Sequence, residues 1–166
     1  MPNPRPARFA VPLPATTLRI RRAITADHAG LVALENETFS SDRLSPRQWA
    51  RHLDSDSARV LVALAERELV GAAVLFFRVR SPVARLYSLA IGKRARGRGI
   101  GSALLEAAEQ QARRKGCTRL RLEVRRDNKT ARRLYERRGY RAIGTLAGYY
   151  EDAEDAVRYE KTLPVD

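Results

Sequence analysis

Residues 84–105 read ARLYSLAIGKRARGRGIGSALL, and three structural signals follow one another within these 22 residues. The first part, 84–91, is an apolar run of the length and composition typical of a buried strand. Three glycines follow at alternate positions, 97, 99 and 101. From residue 100 to residue 112, apolar side chains recur at helical spacing. The sequence therefore predicts a strand, a glycine-rich turn and an amphipathic helix in immediate succession.

The glycine-rich turn is a candidate anion site. Glycine lets the backbone turn sharply and approach a ligand closely. The first amides of a helix have no partner within it and create a positive potential, which favours an anion. Arg96 and Arg98 add charge at the rim. The pattern has neither the GxGxxG spacing of a dinucleotide site nor the Gly-Lys-Ser/Thr ending of a P-loop. A tight turn without a ligand is the alternative.

Strand and helix signals alternate along the rest of the chain. Apolar or alternating runs predict strands at 18–22, 59–65, 69–78, 84–91, 119–125, 140–146 and 157–163. A first helix is expected after Thr25 as its N-cap, with Ile24, Leu31, Leu34 and Phe39 on its inner side. The other three helices have capping or terminating signals at Ser45-Pro46-Arg47-Gln48, at Gly116, and at Asn128 with Gly139. The element order is β-α-α-β-β-β-α-β-α-β-β.

Composition bounds the class of protein. The chain has 166 residues, enough for one domain, which we place at 18–163. Residues 1–17 hold five of the eight prolines, so this segment is expected to be a disordered or extended tail. The single cysteine, Cys117, cannot form an intrachain disulfide, and no ligand spacing predicts a metal site. No apolar run is long enough for a membrane span, and a cytoplasmic location is expected.

The net charge of +13 is unevenly distributed. Residues 93–141 carry 17 basic and 5 acidic side chains, whereas 142–166 carry 2 basic and 6 acidic ones. Such a basic stretch favours a phosphate-bearing partner, either a nucleic acid or a phosphorylated cofactor. A general preference for arginine is the alternative, since only four residues of the chain are lysines.

From residue 96 onward the sequence resembles a known family. Arg96-x-x-Gly99-x-Gly101 is similar to the acetyl-CoA signature (Q/R)-x-x-G-x-(G/A) of the GNAT superfamily of N-acetyltransferases. The run LEVRRDNKTARRLYERRGY, residues 122–140, resembles the second conserved block of that superfamily. It is most similar to the RimI-type branch, the ribosomal-protein alanine N-acetyltransferases, and residues 149–153 share that likeness. The resemblance covers residues 84–163, whereas the N-terminal half matches in element order only.

The resemblance implies an α/β fold and a reaction. The fold is a single domain with a mixed, mostly antiparallel sheet that splays open between two parallel strands, here 84–91 and 119–125, and with helices on both faces. Acetyl-CoA lies in the gap as a co-substrate, and no metal takes part. The acetyl group passes directly from the thioester to a primary amine in a ternary complex.

The resemblance also implies roles for individual residues. Glu123 matches the general base, and Tyr135 should point at the thioester sulfur. The implied cofactor-binding residues are Leu89, Ala90, Ile91, Arg96, Gly97, Arg98, Gly99, Ile100, Gly101, Ser102, Asn128 and Tyr135. The residue types alone leave alternatives open: an ion-pair partner for Glu123, which alternates with Arg121 and Arg125, core packing for Tyr135, and only a helix cap for Asn128.

The acceptor is expected between two acidic regions, the loop at 151–155 and the cluster of Glu35, Glu37 and Asp42. Carboxylates there would attract a cationic amine, and solvated loop acids are the alternative. The candidate substrate-binding residues are Phe39, Asp42, Tyr149 and Tyr150. Residues 39–44 depart from the RimI-type acceptor loop.

A protein or peptide N-terminal α-amine is therefore favoured, and an amino acid, polyamine or other small amine stays open. A non-catalytic acetyl-CoA-binding protein and a basic nucleic-acid-binding protein are the remaining alternatives. The nucleic-acid partner is disfavoured, because no helix-turn-helix, RNP or zinc pattern supports it. A membrane partner is not expected, and both a monomer and a homodimer remain open.

Overall fold

The computed structural model describes residues 17–164. The proline-rich segment predicted to be disordered or extended lies outside the described residues, apart from residue 17.

Seven strands form one sheet in the order β1-β2-β3-β4-β5-β7-β6. Their bounds are β1 Leu18–Arg22, β2 Ala58–Ala65, β3 Glu68–Phe76, β4 Val83–Ile91, β5 Arg119–Arg125, β6 Arg141–Leu146 and β7 Ala156–Thr162. Neighbouring strands are antiparallel except β4 and β5, which run parallel. The predicted mixed, mostly antiparallel sheet is confirmed.

Four α-helices cover parts of both faces of the sheet. They are α1 His28–Thr38, α2 Pro46–Asp54, α3 Ile100–Arg114 and α4 Lys129–Arg137. Buried residues of α1 and α2 share one core cluster with β2 and β3. Those of α3 and α4 share a larger cluster with β2 to β5 and β7 on the other face. Across residues 17–164, no helix is both long enough and apolar enough to cross a bilayer.

The predicted capping signals are present. The amide of Gln48 donates to Ser45 Oγ at 3.1 Å, and the amide of Ser45 donates to Gln48 Oε1 at 2.8 Å. The Asn128 side chain accepts from the amide of Ala131 at 3.1 Å and so caps α4. These local signals set where α2 and α4 begin, and the buried residues Trp49 and Tyr135 pack the two helices against the core.

The start of the first helix differs from its prediction. Thr25 opens a short 3-10 turn, and the carboxylate of Asp27 accepts from the amide of Ile24 at 2.8 Å. Ile24 is 57% exposed, whereas Leu31 and Leu34 are buried as expected. The 3-10 turn separates Ile24 from α1, so the residue does not follow the periodicity that buries the helix.

Candidate active site

A gap opens in the sheet because β4 and β5 pair along only part of their length. Parallel pairing joins residues 83–86 of β4 to residues 119–122 of β5. Beyond it, β4 stays paired with β3 and β5 stays paired with β7. The facing edges of residues 87–91 and 123–125 therefore have no strand partner.

A bulge lies where the two strands diverge. Val74 of β3 pairs with Ser88 and Leu75 pairs with Leu86, which leaves Tyr87 as the extra residue of β4. A bulge bends its strand and increases the local twist. The bulge thus accounts for the turn of β4 away from β5 at this point.

The glycine-rich turn leads from β4 into an N-terminus of α3 that has no side-chain cap. Gly99 is the N-cap residue with φ +77°, and its neighbour Gly97 has φ +79°. Left-handed conformations of this kind cost other L-residues about 1–2 kcal/mol. The N-termini of α2 and α4 are closed by Ser45 and Asn128, whereas no described side chain bonds to the first turn of α3. The amides of residues 100–102 are therefore available to an anion.

The remaining cofactor candidates surround the gap. Ala90 and Ile100 are buried, and Leu89 and Ile91 are partly buried with their side chains in the larger core cluster. Ser102 is half-buried in the first turn of α3, while Arg96 and Arg98 are exposed at the rim. The guanidinium of Arg96 donates only a long bond of 3.4 Å, to the carbonyl of Ile91.

Glu123 lies on β5 next to the gap and is held by two arginines. Arg85 Nε donates to Glu123 Oε2 at 3.1 Å. Arg158 donates to Oε1 from Nε at 3.1 Å and from Nη2 at 3.0 Å. The Glu123 side chain is only 6% exposed. Glu123 is therefore an ion-pair partner of both arginines. Its Oε2 accepts only one hydrogen bond and has a lone-pair site left for a further donor.

Tyr135 lies on α4 and belongs to the same buried cluster as Leu122 and Val124 of β5. Its ring is buried against Tyr140 and Tyr159, at centroid distances of 5.8 and 6.2 Å. Burial, together with the neighbouring Tyr150, raises the pKa of the Tyr135 hydroxyl well above its usual value, and no described side chain hydrogen-bonds to it. The hydroxyl therefore keeps its proton and has that proton available to a ligand.

The candidate substrate-binding residues of two loops distant in sequence lie close together in the structure. The amide of Glu151 donates to Asp42 Oδ1 at 3.2 Å, and the amide of Asp42 donates to Glu151 Oε2 at 3.3 Å. These bonds join the α1–α2 loop to the β6–β7 loop. Tyr149 and Tyr150 contact each other edge to face at 5.0 Å, and Arg85 Nη2 donates to the Tyr149 hydroxyl at 2.6 Å.

Tyr150 is close enough to interact electrostatically with both catalytic candidates, Glu123 and Tyr135. Burial raises the pKa of its hydroxyl, and the nearby Tyr149, Glu123 and Asp42 add to the effect. Phe39 is set further back, because it packs against the smaller core cluster at the end of α1.

Most of the acidic side chains near the acceptor region already have partners. Asp152 accepts from Arg125 at 2.6 and 3.0 Å. Glu37 accepts from the amide of Lys93 at 3.0 Å. Glu35 is buried and accepts from the amide of Leu44 at 2.7 Å, and burial raises the pKa of its carboxyl. These groups hold loops in place, so a general attraction for cations is weaker than the sequence alone indicates.

The sequence reasoning did not single out Arg85, Arg158 or Tyr87. The guanidinium of Arg85 lies 5.6 Å from the Tyr87 ring centroid, and the same arginine joins Glu123 to Tyr149. Arg85 is the single charged residue of the otherwise uncharged β4, and Arg158 lies among alternating residues of β7, so both were visible in the sequence. Their meeting at Glu123 depends on strand register, which the sequence does not specify.

Residues 28–140 match the acetyltransferase (GNAT) family. Over 80 residues the chain is 46% identical to an uncharacterised N-acetyltransferase of Methanocaldococcus jannaschii, covering 48% of this chain and 51% of that protein. The chain therefore spans about half the length of this relative.

Two solved structures show the same fold over nearly their whole length. The ribosomal-protein-S18-alanine N-acetyltransferase of Escherichia coli has a TM-score of 0.81 at 22% identity, over 90% of this chain and 96% of that one. The ribosomal-protein-alanine N-acetyltransferase of Brucella melitensis has a TM-score of 0.75 at 27% identity, over 87% of this chain and 99% of that one. The prediction from the glycine turn and the 122–140 block is confirmed: the chain belongs to the acetyltransferase (GNAT) family.

Proposed function

We propose that this protein transfers an acetyl group from acetyl-CoA directly to the α-amine of a protein or peptide N-terminus. The observation that carries the proposal is the gap between the parallel strands β4 and β5, beside an α3 N-terminus that no described side chain caps. A thioester held in such a gap is reachable from both faces of the sheet, so donor and acceptor can meet there.

The residues around the gap fit acetyl-CoA. The free edge of 87–91 offers backbone amides and carbonyls to the pantetheine arm, which needs both donors and acceptors. The amides of 100–102 and the positive-φ glycines offer a cradle for the pyrophosphate, with Arg96 and Arg98 adding charge. Asn128 uses Oδ1 to cap α4, which leaves its side-chain amide hydrogens for the cofactor.

The acceptor amine needs little activation if it is an α-amine. Its pKa is about 8, so roughly a tenth is unprotonated near neutrality, whereas a lysine side chain at about 10.4 is almost fully charged. We assign Glu123 the remaining proton transfer, directly or through a water, at the lone-pair site of Oε2 that the arginines leave open. Arg85 and Arg158 hold this carboxylate in place.

Acetyl transfer then proceeds by attack of the amine nitrogen on the thioester carbon. The C–N bond forms, the C–S bond breaks, and the amine proton passes to Glu123 or water. A backbone amide of residues 89–91 would stabilise the oxyanion. Tyr135 keeps its proton and would donate a hydrogen bond or that proton to the departing sulfur. No covalent enzyme intermediate is needed.

An N-terminal acceptor is supported by the likeness to the two ribosomal-protein alanine N-acetyltransferases and by the shape of the approach. The α1–α2 and β6–β7 loops, joined through Asp42 and Glu151, border the site on the Glu123 side. Tyr149 and Tyr150 offer aromatic surface and hydroxyl groups to a chain that enters beside them.

An acetylation screen tests the proposal. Purified protein is given acetyl-CoA and short peptides with different N-terminal residues, alongside free amino acids and polyamines, and release of CoA thiol is measured. We expect turnover on peptides with free N-termini and none on the same peptides blocked at the amine. Turnover confined to small amines would show that the acceptor is a small amine and not a peptide N-terminus. Absence of both acetyl-CoA binding and turnover would overturn the proposal.

A further inference from the structure

Among residues 17–164, no helix packs over β5 and β7 on one face of the sheet. Leu120, Leu122 and Val124 of β5 are buried in the cluster beneath α3 and α4. The alternate residues of β5 point to the other face, where α1 and α2 cover β2 and β3 instead. This arginine face consists of Arg119, Arg121, Glu123 and Arg125 of β5, Arg158 and Glu160 of β7, and Arg85 of β4.

The charges of the arginine face are layered. Glu160 is paired with Arg121 at 2.7 Å and with Arg119 at 3.4 Å. Glu123 is clamped by Arg85 and Arg158 in the same way. The two carboxylates are 15% and 6% exposed, whereas the four guanidinium side chains are 34–41% exposed. Two negative charges thus lie beneath four positive ones, and the layer in contact with solvent is cationic.

Donors remain unused in that layer. Arg121 bonds to Glu160 through Nε and Nη2, and Arg158 bonds to Glu123 through the same two atoms. Within residues 17–164, the Nη1 group of each arginine makes no hydrogen bond. Each guanidinium can therefore donate hydrogen bonds to a second carboxylate without releasing the first.

A groove joins these two arginines to the edge of the sheet. Arg121 and Arg158 line one side of it, and residues 143–146 of β6 line the other. Ile143 is 49% exposed there. The groove combines cationic and apolar surface, which suits an extended peptide segment with acidic side chains.

The arginine face begins at the candidate catalytic carboxylate. Arg158 is the cross-strand partner of Glu123, and Arg121 is two residues along β5. Two residues of extended chain span about 7 Å. An acceptor whose amine lies at Glu123 and whose chain runs along β5 towards Arg121 would place its second to fourth residues over Arg158, Arg121 and the groove.

We infer that the acceptor carries aspartate or glutamate among the two to four residues that follow its N-terminal amine, and that Arg121 with its neighbours on the arginine face selects it. The inference rests on the proposed function, since it takes Glu123 as the site of the amine. A nucleic acid is a poorer occupant, because Glu123 and Glu160 neutralise two of the four arginine charges and leave little net charge for a run of phosphates. A peptide carboxylate is short enough to meet one guanidinium at a time.

Competition among matched peptides tests this substrate class. Three peptides share one N-terminal residue and one length and differ only in residues 2–4, which are acidic, alanine or basic. We expect kcat/KM to fall in that order, by about two- to fivefold for each ion pair gained or lost. Raising the salt concentration from about 0.05 to 0.5 M should compress the differences, because exposed pairs are screened.

The variant Arg121→Gln should lower the ratio of kcat/KM between the acidic and alanine peptides, while Glu160 keeps Arg119 as its partner. Arg114→Gln, an exposed site at the far end of α3, is the control and should leave the ratio unchanged. The ratio is measured within each variant, so partial loss of folded protein cancels.

Each other outcome overturns the inference in its own way. Equal rates on all three peptides, a preference for basic ones, or an unchanged ratio in Arg121→Gln would overturn it while leaving the proposed acetyl transfer intact. Turnover on no peptide would overturn both. Tight, salt-dependent binding of an oligonucleotide that Arg121→Gln weakens, with no charge preference among peptides, would assign the face to nucleic acid instead.

Discussion

At the scale of single residues, the Tyr135 hydroxyl is the group whose removal separates chemistry from packing. Its ring contacts Tyr140 and Tyr159, so Tyr135→Phe keeps those contacts and deletes only the proton donor. We expect kcat to fall by about 10²-fold, the size typical of a lost proton donor, with little change in the KM for acetyl-CoA. Steady-state thiol release with a responsive peptide measures both.

Tyr140→Phe is the matched control for that substitution. Tyr140 is also buried, but its hydroxyl donates to Glu109 at 3.2 Å, whereas no described side chain hydrogen-bonds to the Tyr135 hydroxyl. Its loss should cost about 1 kcal/mol of unfolding free energy without lowering kcat. Equal effects of the two variants on kcat would remove Tyr135 from the mechanism.

At the scale of elements, the glycines at the two ends of α3 separate backbone strain from cofactor binding. Gly99 has φ +77° and Gly116 has φ +82°, and a Cβ at either position would meet no atom within 4 Å. Alanine at either should therefore cost about 1–2 kcal/mol of stability through conformation alone. Only Gly99→Ala should also weaken acetyl-CoA binding, by about tenfold, because it displaces the amides of residues 100–102.

Isothermal calorimetry with CoA and thermal unfolding measure both effects on both variants. If Gly116→Ala weakened CoA binding as much as Gly99→Ala did, general destabilisation would explain the loss and the glycine turn would not be the pyrophosphate site.

A second prediction at this scale concerns the connection between β1 and α1. Arg21 donates to both oxygens of Asp27, at 2.7 and 3.0 Å, and the amide of Ile24 adds a third bond. These bonds lower the pKa of the Asp27 carboxyl, chiefly through Arg21, although burial opposes the effect. Asp27→Asn keeps the amide cap and removes the charge, and we expect a loss of about 1 kcal/mol at neutral pH.

The loss should depend on pH in a defined direction. The folded pKa lies below the unfolded value of about 3.9, so the pair stabilises fully above that value. Its contribution disappears as the pH falls through the folded pKa, and the wild-type and Asp27→Asn unfolding curves should then converge. Asp56→Asn, at an exposed turn, serves as the control. A difference that persists unchanged into acid would contradict the ion-pair account.

At the scale of the whole molecule, short-range signals in the sequence were sufficient for most of the helices and strands, whereas the sheet that they form was expected from the family resemblance. The Ser45 capping box, the Asn128 cap and the apolar spacing of α3 predicted their helices because each acts within a few residues. Ile24 was misplaced because helical periodicity was extended through a 3-10 turn. The partial separation of β4 and β5 came from family resemblance and not from residue patterns, since the bulge at Tyr87 and the strand register are tertiary features.

The candidate site likewise combines residues that could be proposed from the sequence with contacts that only the folded structure shows. Glu123 and Tyr135 were assigned through the family resemblance, and their catalytic roles remain proposals. The two arginines that hold Glu123 could not be chosen, because Arg85 and Arg158 are 38 and 35 residues away from it and meet it only through pairing.

Acetyl-CoA bound in the gap between β4 and β5 would contact both parts of the sheet, so its binding should stabilise the whole domain. The two parts of the sheet, β1–β4 and β5–β7, are joined by only four paired residues on each strand, and the proposed cofactor residues lie on both sides. A ligand bound only by the folded protein at 100 times its Kd adds about 2.7 kcal/mol of stability. For a domain of this size we expect Tm to rise by about 5 to 10 °C.

Inorganic pyrophosphate, which carries the charge without the pantetheine arm, should give a much smaller rise, and Gly99→Ala should require more acetyl-CoA for the same shift. An equal rise with pyrophosphate would locate binding on the basic surface of residues 93–141 rather than in the gap, and no rise at saturating acetyl-CoA would remove the gap as its binding site.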